Sequence, residues 1–323
     1  MTGVQTCALP IFERMELGIF DAVASNAGTI DALVASAAAT HDDGFASWWL
    51  PQIFGFESLS VHAIVGREVP ELALGTAVVP TYPRHPVTMA QLALTAQSAA
   101  AGATGANRLT LGIGLSHQMV IENMFGLSFD RPAHHMSEYL DVLMPLLETH
   151  SVSAHGETIS TSVGLTVPDG IVAPDVVVAA LGPAMLRIAG TKTQGTVTWM
   201  TGPATLESHI VPSIRAAATE AGRPAPRVVA ALPVLVTDDE AAGRATVGSV
   251  FEIYGFLPSY RAMLDREGVE GPADVAIVGT EDEVASKIRA LDGIGVTDFV
   301  AVEFATPGSR DAQRTRELLR SLL

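Results

Sequence analysis

Few side chains in this 323-residue chain stand where they could handle a proton, and His117 is the clearest of them. It stands near the end of the run Leu111-Gly112-Ile113-Gly114-Leu115-Ser116-His117-Gln118. Glycines inside a strand admit close approach of a ligand or another backbone. An imidazole at the tip of such a strand is a candidate general acid or base. The run is not a dinucleotide fingerprint, because His117 stands at the third glycine position, and it lacks the closing glycine of a nucleophile elbow. Gln52 is the first polar residue after Ser47-Trp48-Trp49-Leu50-Pro51 and can both donate and accept hydrogen bonds. Neighbouring residues of a strand point to opposite sides, so only one of Trp48 and Trp49 can face a site.

Two further segments suit a bound molecule rather than a reacting one. In Ala179-Ala180-Leu181-Gly182-Pro183 a strand turns into a helix that opens at Ala184, and free N–H groups at such an end suit a phosphate. In Gly75-Thr76-Ala77-Val78-Val79-Pro80-Thr81-Tyr82-Pro83-Arg84-His85-Pro86, small residues that let a flat ligand approach lead into a loop stiffened by Pro80, Pro83 and Pro86. No metal site is expected. His134 and His135 are neighbours on a predicted helix and cannot face one ion together, and His41-Asp42-Asp43 sits at a helix end facing solvent.

The elements that must hold these residues alternate along the chain. Apolar, strand-like runs occur at Glu16–Phe20, Ala46–Leu50, Leu72–Val79, Arg108–Gly114, Asp175–Leu181, Thr196–Met200, Arg227–Val236 and Asp298–Glu303. Between them lie helical stripes. Ile30, Leu33, Val34, Ala37 and Ala38 share one face behind an N-cap at Thr29, and Gly44 ends that helix. Pro86 suits a first turn ahead of Met89, Leu92, Ala93 and Ala96. Thr280 with Glu283 forms a capping box. Strands apolar on both faces and separated by amphipathic helices imply a buried parallel sheet. Eight of them in one domain of this length predict a (β/α)8 TIM barrel, with a doubly wound sheet as the competitor. Two gaps exceed one helix and predict insertions after strands 4 and 7. The first contains a hairpin-like stretch, Ser151–Gly170, and the second an aromatic segment, Phe251–Tyr260, broken by Gly255 and Pro258. The last helix, Arg310–Leu323, is expected on the outside of the barrel.

Composition narrows the partners. The chain is 48% hydrophobic and 17% charged, enough for a packed core. No apolar run approaches the ~20 residues of a membrane span. Nineteen Lys and Arg against 35 Asp and Glu leave a net charge of −16, which disfavours nucleic acid. The single cysteine, Cys7, allows no internal disulfide. Residues 1–14 resemble neither a signal peptide nor part of the fold and read as an extension. The remainder, 15–323, reads as one domain of a cytoplasmic protein.

Taken together, Gly75–Val79 with Tyr82–Pro86, Arg108–Gly114, Ala179–Pro183, Gly195–Trp199 and Gly279-Thr280…Gly295-Val296 resemble the luciferase-like monooxygenase superfamily, within it the oxidoreductases dependent on the deazaflavin coenzyme F420. The resemblance covers roughly residues 15–305. It implies a bulge after the third strand with a cis peptide at Ala77–Val78, where Ala77, Val78 and Val79 back the cofactor ring. It implies that Gly112, Gly114, Leu115 and Ser116 line the ring or ribityl chain, and that Ala180, Leu181, Gly182 and Pro183 hold the phosphate. Relatives that oxidise alcohols carry an Asp-His pair after strand two; Gln52 and Ile53 stand there in this chain, which disfavours that chemistry. The resulting expectation is a reductase: hydride passes from the deazaflavin C5 to a small organic substrate, His117 supplies the proton, and Gln52 hydrogen-bonds the ring edge or substrate. Trp49, Tyr82, Trp199 and Phe256 are the expected walls of the substrate pocket. The alternatives are an FMN-dependent monooxygenase and a flavin-binding barrel without catalysis. The net negative charge predicts a local base, Arg84 or His85, near the coenzyme tail, and the resemblance implies a homodimer.

Overall fold

A computed structural model describes residues 14–22, 28–102, 105–306 and 309–323. Cys7 and most of the expected N-terminal extension lie outside the described residues. Arg14 is described, and its guanidinium donates to the carbonyls of Leu322 and Leu323, joining the start of the fold to its last helix.

Eight parallel strands close into a barrel: β1 (Glu16–Phe20), β2 (Ser47–Leu50), β3 (Ala73–Thr76), β4 (Leu109–Gly114), β5 (Asp175–Val178), β6 (Gly195–Trp199), β7 (Arg227–Val236) and β8 (Asp298–Glu303). Each pairs with the next, and β8 returns to β1 through Glu16↔Asp298 and Leu17↔Phe299. Closure excludes the doubly wound sheet. Alternation along the strands sorts the side chains: Trp48 joins the layer between strands and helices, whereas Trp49 joins Phe20, Val177, Val197, Val229 and Val300 in the cluster inside the barrel. Gly75 is obligatory beside that indole, since a Cβ there would lie 2.3 Å from the Trp49 ring.

The outer helices begin where local chemistry permits. Helix α1 (Ile30–Asp42) starts at Thr29, whose hydroxyl accepts from the Ala32 N–H, and Gly44 follows it at φ +88°. Glu57 caps α2 (Ser58–Glu68); His85 caps α3 (Pro86–Ala101), which opens with the expected proline. Arg108 binds the carbonyls of Gly66, Val69, Leu72 and Ala100, tying the ends of α2 and α3 to β3.

Both insertions fall where expected. After β4 come a π-helical turn (Val120–Met124), α4 (Pro132–Thr149) and an antiparallel hairpin, Ser151–His155 with Ser160–Gly164. The Glu138 carboxylate accepts from the N–H groups of Glu157, Thr158 and Ile159 and pins that hairpin to α4. Helices α5 (Pro183–Lys192) and α6 (Val211–Glu220) follow β5 and β6. After β7 come α7 (Glu240–Phe251), a short 3-10 turn (Glu252–Gly255), α8 (Pro258–Glu267) and a strand the sequence reading lacked, Ile277–Gly279, paired with Val234–Val236. The capping box at Thr280 and Glu283 opens α9 (Glu281–Gly293). The last helix, α10 (Asp311–Ser321), lies outside, with Arg316 held by Glu303 and Asp43. Among the described residues no helix is long and apolar enough to cross a membrane.

Candidate active site at the strand ends

At the C-terminal end of β3 the chain leaves its ladder and resumes pairing only at Val79–Pro80, opposite Ile113 and Gly114 of β4. The peptide bond between Ala77 and Val78 is cis, as the resemblance implies. Ala77 and Val78 keep partial exposure; Val79 is buried in the outer layer. The expected contact of Val79 with a cofactor is therefore corrected. The two glycines of β4 serve this bulge. A Cβ at Gly112 would strike the Thr76 carbonyl at 1.9 Å, and one at Gly114 would meet the Val78 Cγ2 at 2.6 Å. Gly112 is buried under protein and Gly114 makes room for Val78, so neither presents an open face to a ligand. Leu115 and Ser116, the latter at φ +60°, are partly exposed beyond them. The buried His62 braces β3 from behind, its ring nitrogens 2.6 and 2.9 Å from the carbonyl oxygens of Ser58 and Gly75.

His117 stands three residues past the end of β4 and leads into the π-helical turn; its carbonyl accepts from Val120 and Ile121. Its ring packs against Tyr254 and Tyr260 of the second insertion, with centroids 6.5 and 5.8 Å away. Burial pushes its pKa below the ordinary 6.5. Trp199, at the end of β6, meets Phe20, Phe251 and Tyr254 edge-on. Burial raises the Tyr254 pKa, and the hydrogen bond with Trp199 opposes it. The aromatic segment thus covers the barrel mouth, but through Phe251, Tyr254 and Tyr260. Phe256, the residue expected there, is instead 73% exposed and lines a separate surface pocket with Gly248, Glu252 and Arg261. Trp49 is corrected too: at 1% exposure it is the floor beneath the mouth, its indole N–H spent on the Ser47 hydroxyl.

Gln52 has a structural task that its polarity alone did not reveal. Its Oε1 accepts from the Ser58 N–H at 2.7 Å, fixing the start of α2, so a hydrogen bond to ring or substrate falls to its amide NH2 group. Arg84 faces Glu57 at 3.5 Å, and His85 Nδ1 accepts from Val87, so both expected bases already have partners. Tyr82 lies flat on His135, centroids 4.0 Å apart, and near Phe129. Its hydroxyl is buried without a hydrogen-bond partner, and burial, aided by Asp130 and Glu122, pushes its pKa up to about 12. His134 turns instead to Glu138 and Glu157, so the two adjacent histidines diverge.

The phosphate segment narrows on inspection. Ala180 is buried, its N–H directed at the Thr196 hydroxyl. Pro183 has no N–H to offer. The Leu181 carbonyl accepts from His209 Nε2 at 2.8 Å, which fixes the turn. Gly182 caps α5 without a side-chain partner, and a Cβ there would meet nothing within 4 Å. An open, uncapped helix start beside a bulged wall fits a ring with a phosphate tail: Ala77, Val78, Leu115 and Ser116 along the ring, Leu181, Gly182 and the N–H groups of Ala184 and Met185 at the phosphate.

Comparison with known proteins gives the family. The sequence profile of the luciferase-like monooxygenases matches residues 15–298, and the chain belongs to this family. It is similar to a 5,10-methylenetetrahydromethanopterin reductase of Methanolobus tindarius, 25% identical over 288 residues, covering 80% of this chain and 86% of that protein. Among solved structures it resembles the coenzyme F420-dependent tetrahydromethanopterin reductase of Methanopyrus kandleri, with a TM-score of 0.78 and 22% identity over 96% of this chain and 99% of that one. It also resembles the oxygenating constituent of the 3,6-diketocamphane monooxygenase of Pseudomonas putida, solved with FMN, with a TM-score of 0.72 and 18% identity over 95% and 96% of the two chains.

Proposed function

We propose that this protein is a deazaflavin-dependent oxidoreductase that works in the reductive direction on a small organic substrate. The observation that carries the reading is His117, a half-buried imidazole three residues past Gly114, the glycine that packs on Val78 of the bulge, and under the aromatic cover of Tyr254 and Tyr260. Coenzyme F420 supplies a hydride in such chemistry, leaving the protein to orient, exclude water and deliver a proton. Ala77 and Val78 form the wall on one side of the slot. Gly182 and the first turn of α5 take the anionic end. Trp199, Tyr254 and Tyr260 exclude water above. The imidazolium of His117, destabilised by burial, gives up its proton readily, so reduction speeds up as the medium becomes more acidic.

An FMN-dependent monooxygenase is the second reading, because the diketocamphane enzyme shares the barrel. Titration of ligand-free protein with F420 and with FMN, followed by absorbance and fluorescence, separates the two. Saturable F420 binding with weak FMN binding is expected; the reverse order defeats the proposal. Tight coenzyme binding without turnover across a broad substrate panel selects the non-catalytic barrel.

A further inference from the structure

We infer that the barrel mouth selects a neutral, largely hydrocarbon substrate, seated on an apolar rim beside His117; the inference rests on the reading of that mouth as the substrate site. Two short segments expose large apolar side chains there. After β2 stand Ile53, Phe54 (62% exposed) and Phe56; after β4 stand Met119, Met124 and Phe125. Phe54 meets Phe125 edge-on at 6.4 Å, so the two segments make one surface. A contiguous exposed apolar patch on a globular protein marks a binding surface more often than not. This one begins a single residue after Gln52 and two after His117. Its second half is the π-helical turn, a distortion frequent at functional sites, anchored by the buried Ile121.

The charge pattern argues for the same occupant. A carboxylate seated beside His117, away from the α5 start that takes the coenzyme's anionic end, needs a fixed cation, because an unpaired buried charge is costly. The described segments 51–56, 115–121 and 200–203, which lie at the same strand ends, contain no Lys or Arg. Arg84 faces Glu57, and Arg261 on the covering insertion is held by Asp265 and the carbonyls of Val269 and Glu270. The residues around His117 itself are the phenol rings of Tyr254 and Tyr260. A ketone or enone oxygen aimed at His117, with its hydrocarbon body on Phe54 and Phe125, satisfies this surface; an acid does not.

The test uses three probes of one skeleton: benzylacetone, its isosteric acid hydrocinnamate, and phenylpropylammonium. Each is titrated into the full chain, ligand-free and loaded with F420, and read by tryptophan fluorescence, since Trp199 lies in the mouth. Benzylacetone is expected to saturate, and both ions to bind at least ~10-fold more weakly. The double exchange Phe54→Ser with Phe125→Ser is expected to weaken benzylacetone about 10-fold while leaving F420 affinity and the unfolding midpoint unchanged. Either ion binding as tightly as the ketone overturns the inference, as does the absence of saturable ketone binding. Unchanged ketone binding in the double variant overturns it too; if sedimentation then shows a dimer turned monomer, the rim belongs to a second copy of the chain. Loss of F420 binding with the probe order intact defeats the redox reading alone.

Discussion

Where the strands begin, Arg227 at the start of β7 donates to Asp298 at 2.7 Å, to Asp175 at 3.3 Å and to the Thr110 hydroxyl at 3.0 Å. Where they finish, the same barrel offers Trp199, Tyr254, Tyr260 and a histidine with no acidic partner at hand. A cavity of about 500 Å³ opens at the first end, lined among others by Glu16, Arg108, Asp175, Arg227 and Asp298. Arg108 and Arg227 there are saturated by partners within the protein, and the network spans β4, β5, β7 and β8, so its work is to close the barrel. Burial works to lower the Arg227 pKa, yet Asp298 and Asp175 keep it raised. At the other end aromatic rings dominate, and burial disfavours the charged forms of His117, Tyr254, Tyr260 and Glu303. That contrast is the division of labour expected of this architecture, stability below and chemistry above.

The contrast can be broken at either end. Arg227→Met is expected to have the largest effect, about 3 kcal/mol of lost stability in urea unfolding, because it strands the buried Asp298 carboxylate. The surviving folded fraction should bind F420 as before; a loss of affinity would mean the two ends are coupled. His117→Gln should do the opposite, lowering reductive turnover roughly 100-fold with unfolding unchanged. Full turnover in that variant removes His117 from the chemistry. Gly114→Ala, which drives a Cβ into Val78, should cost about 1–3 kcal/mol and also weaken coenzyme binding, since the bulge is the proposed wall. An intact affinity would detach the bulge from the site.

Acid should sharpen the same contrast with a smaller effect. His117 and His135 both have folded pKa values lowered by burial. The unfolded chain then binds protons that the folded chain refuses, so stability falls as pH drops below 6.5 toward the folded values. The decline is at most about 1.4 kcal/mol per pH unit for each histidine. Hydrogen exchange should show this loosening in 115–139 and 251–260 before the Arg227 network; loosening at the lower end first would contradict the assignment.

Much of the frame was legible because local rules and tertiary packing agree. Thr29, Pro86 and the Thr280–Glu283 box each start the helix their chemistry suggests. Runs such as Asp175–Val178 and Arg227–Val236 could be strands only in a sheet covered on both sides. The site was less legible, for physical reasons. Gly255 and Pro258 break the helical phase, so spacing could not say that Tyr254 and Tyr260, rather than Phe256, turn inward. Gln52 looked like a free amide because its partner, the Ser58 N–H, exists only once α2 has formed. Gly112 and Gly114 were noticed as openings for a ligand, yet the closest approach belongs to the chain's own bulge. The Arg227 network joins residues 52 and 71 positions apart, which no local pattern reports.

The short strand Ile277–Gly279 has a mechanical consequence. It returns the second insertion to β7 beside the point where that insertion departed, through Val234↔Ile277 and Val236↔Gly279. Tyr254 and Tyr260 are thus carried on a loop stitched at both feet, a roof rather than a hinged door.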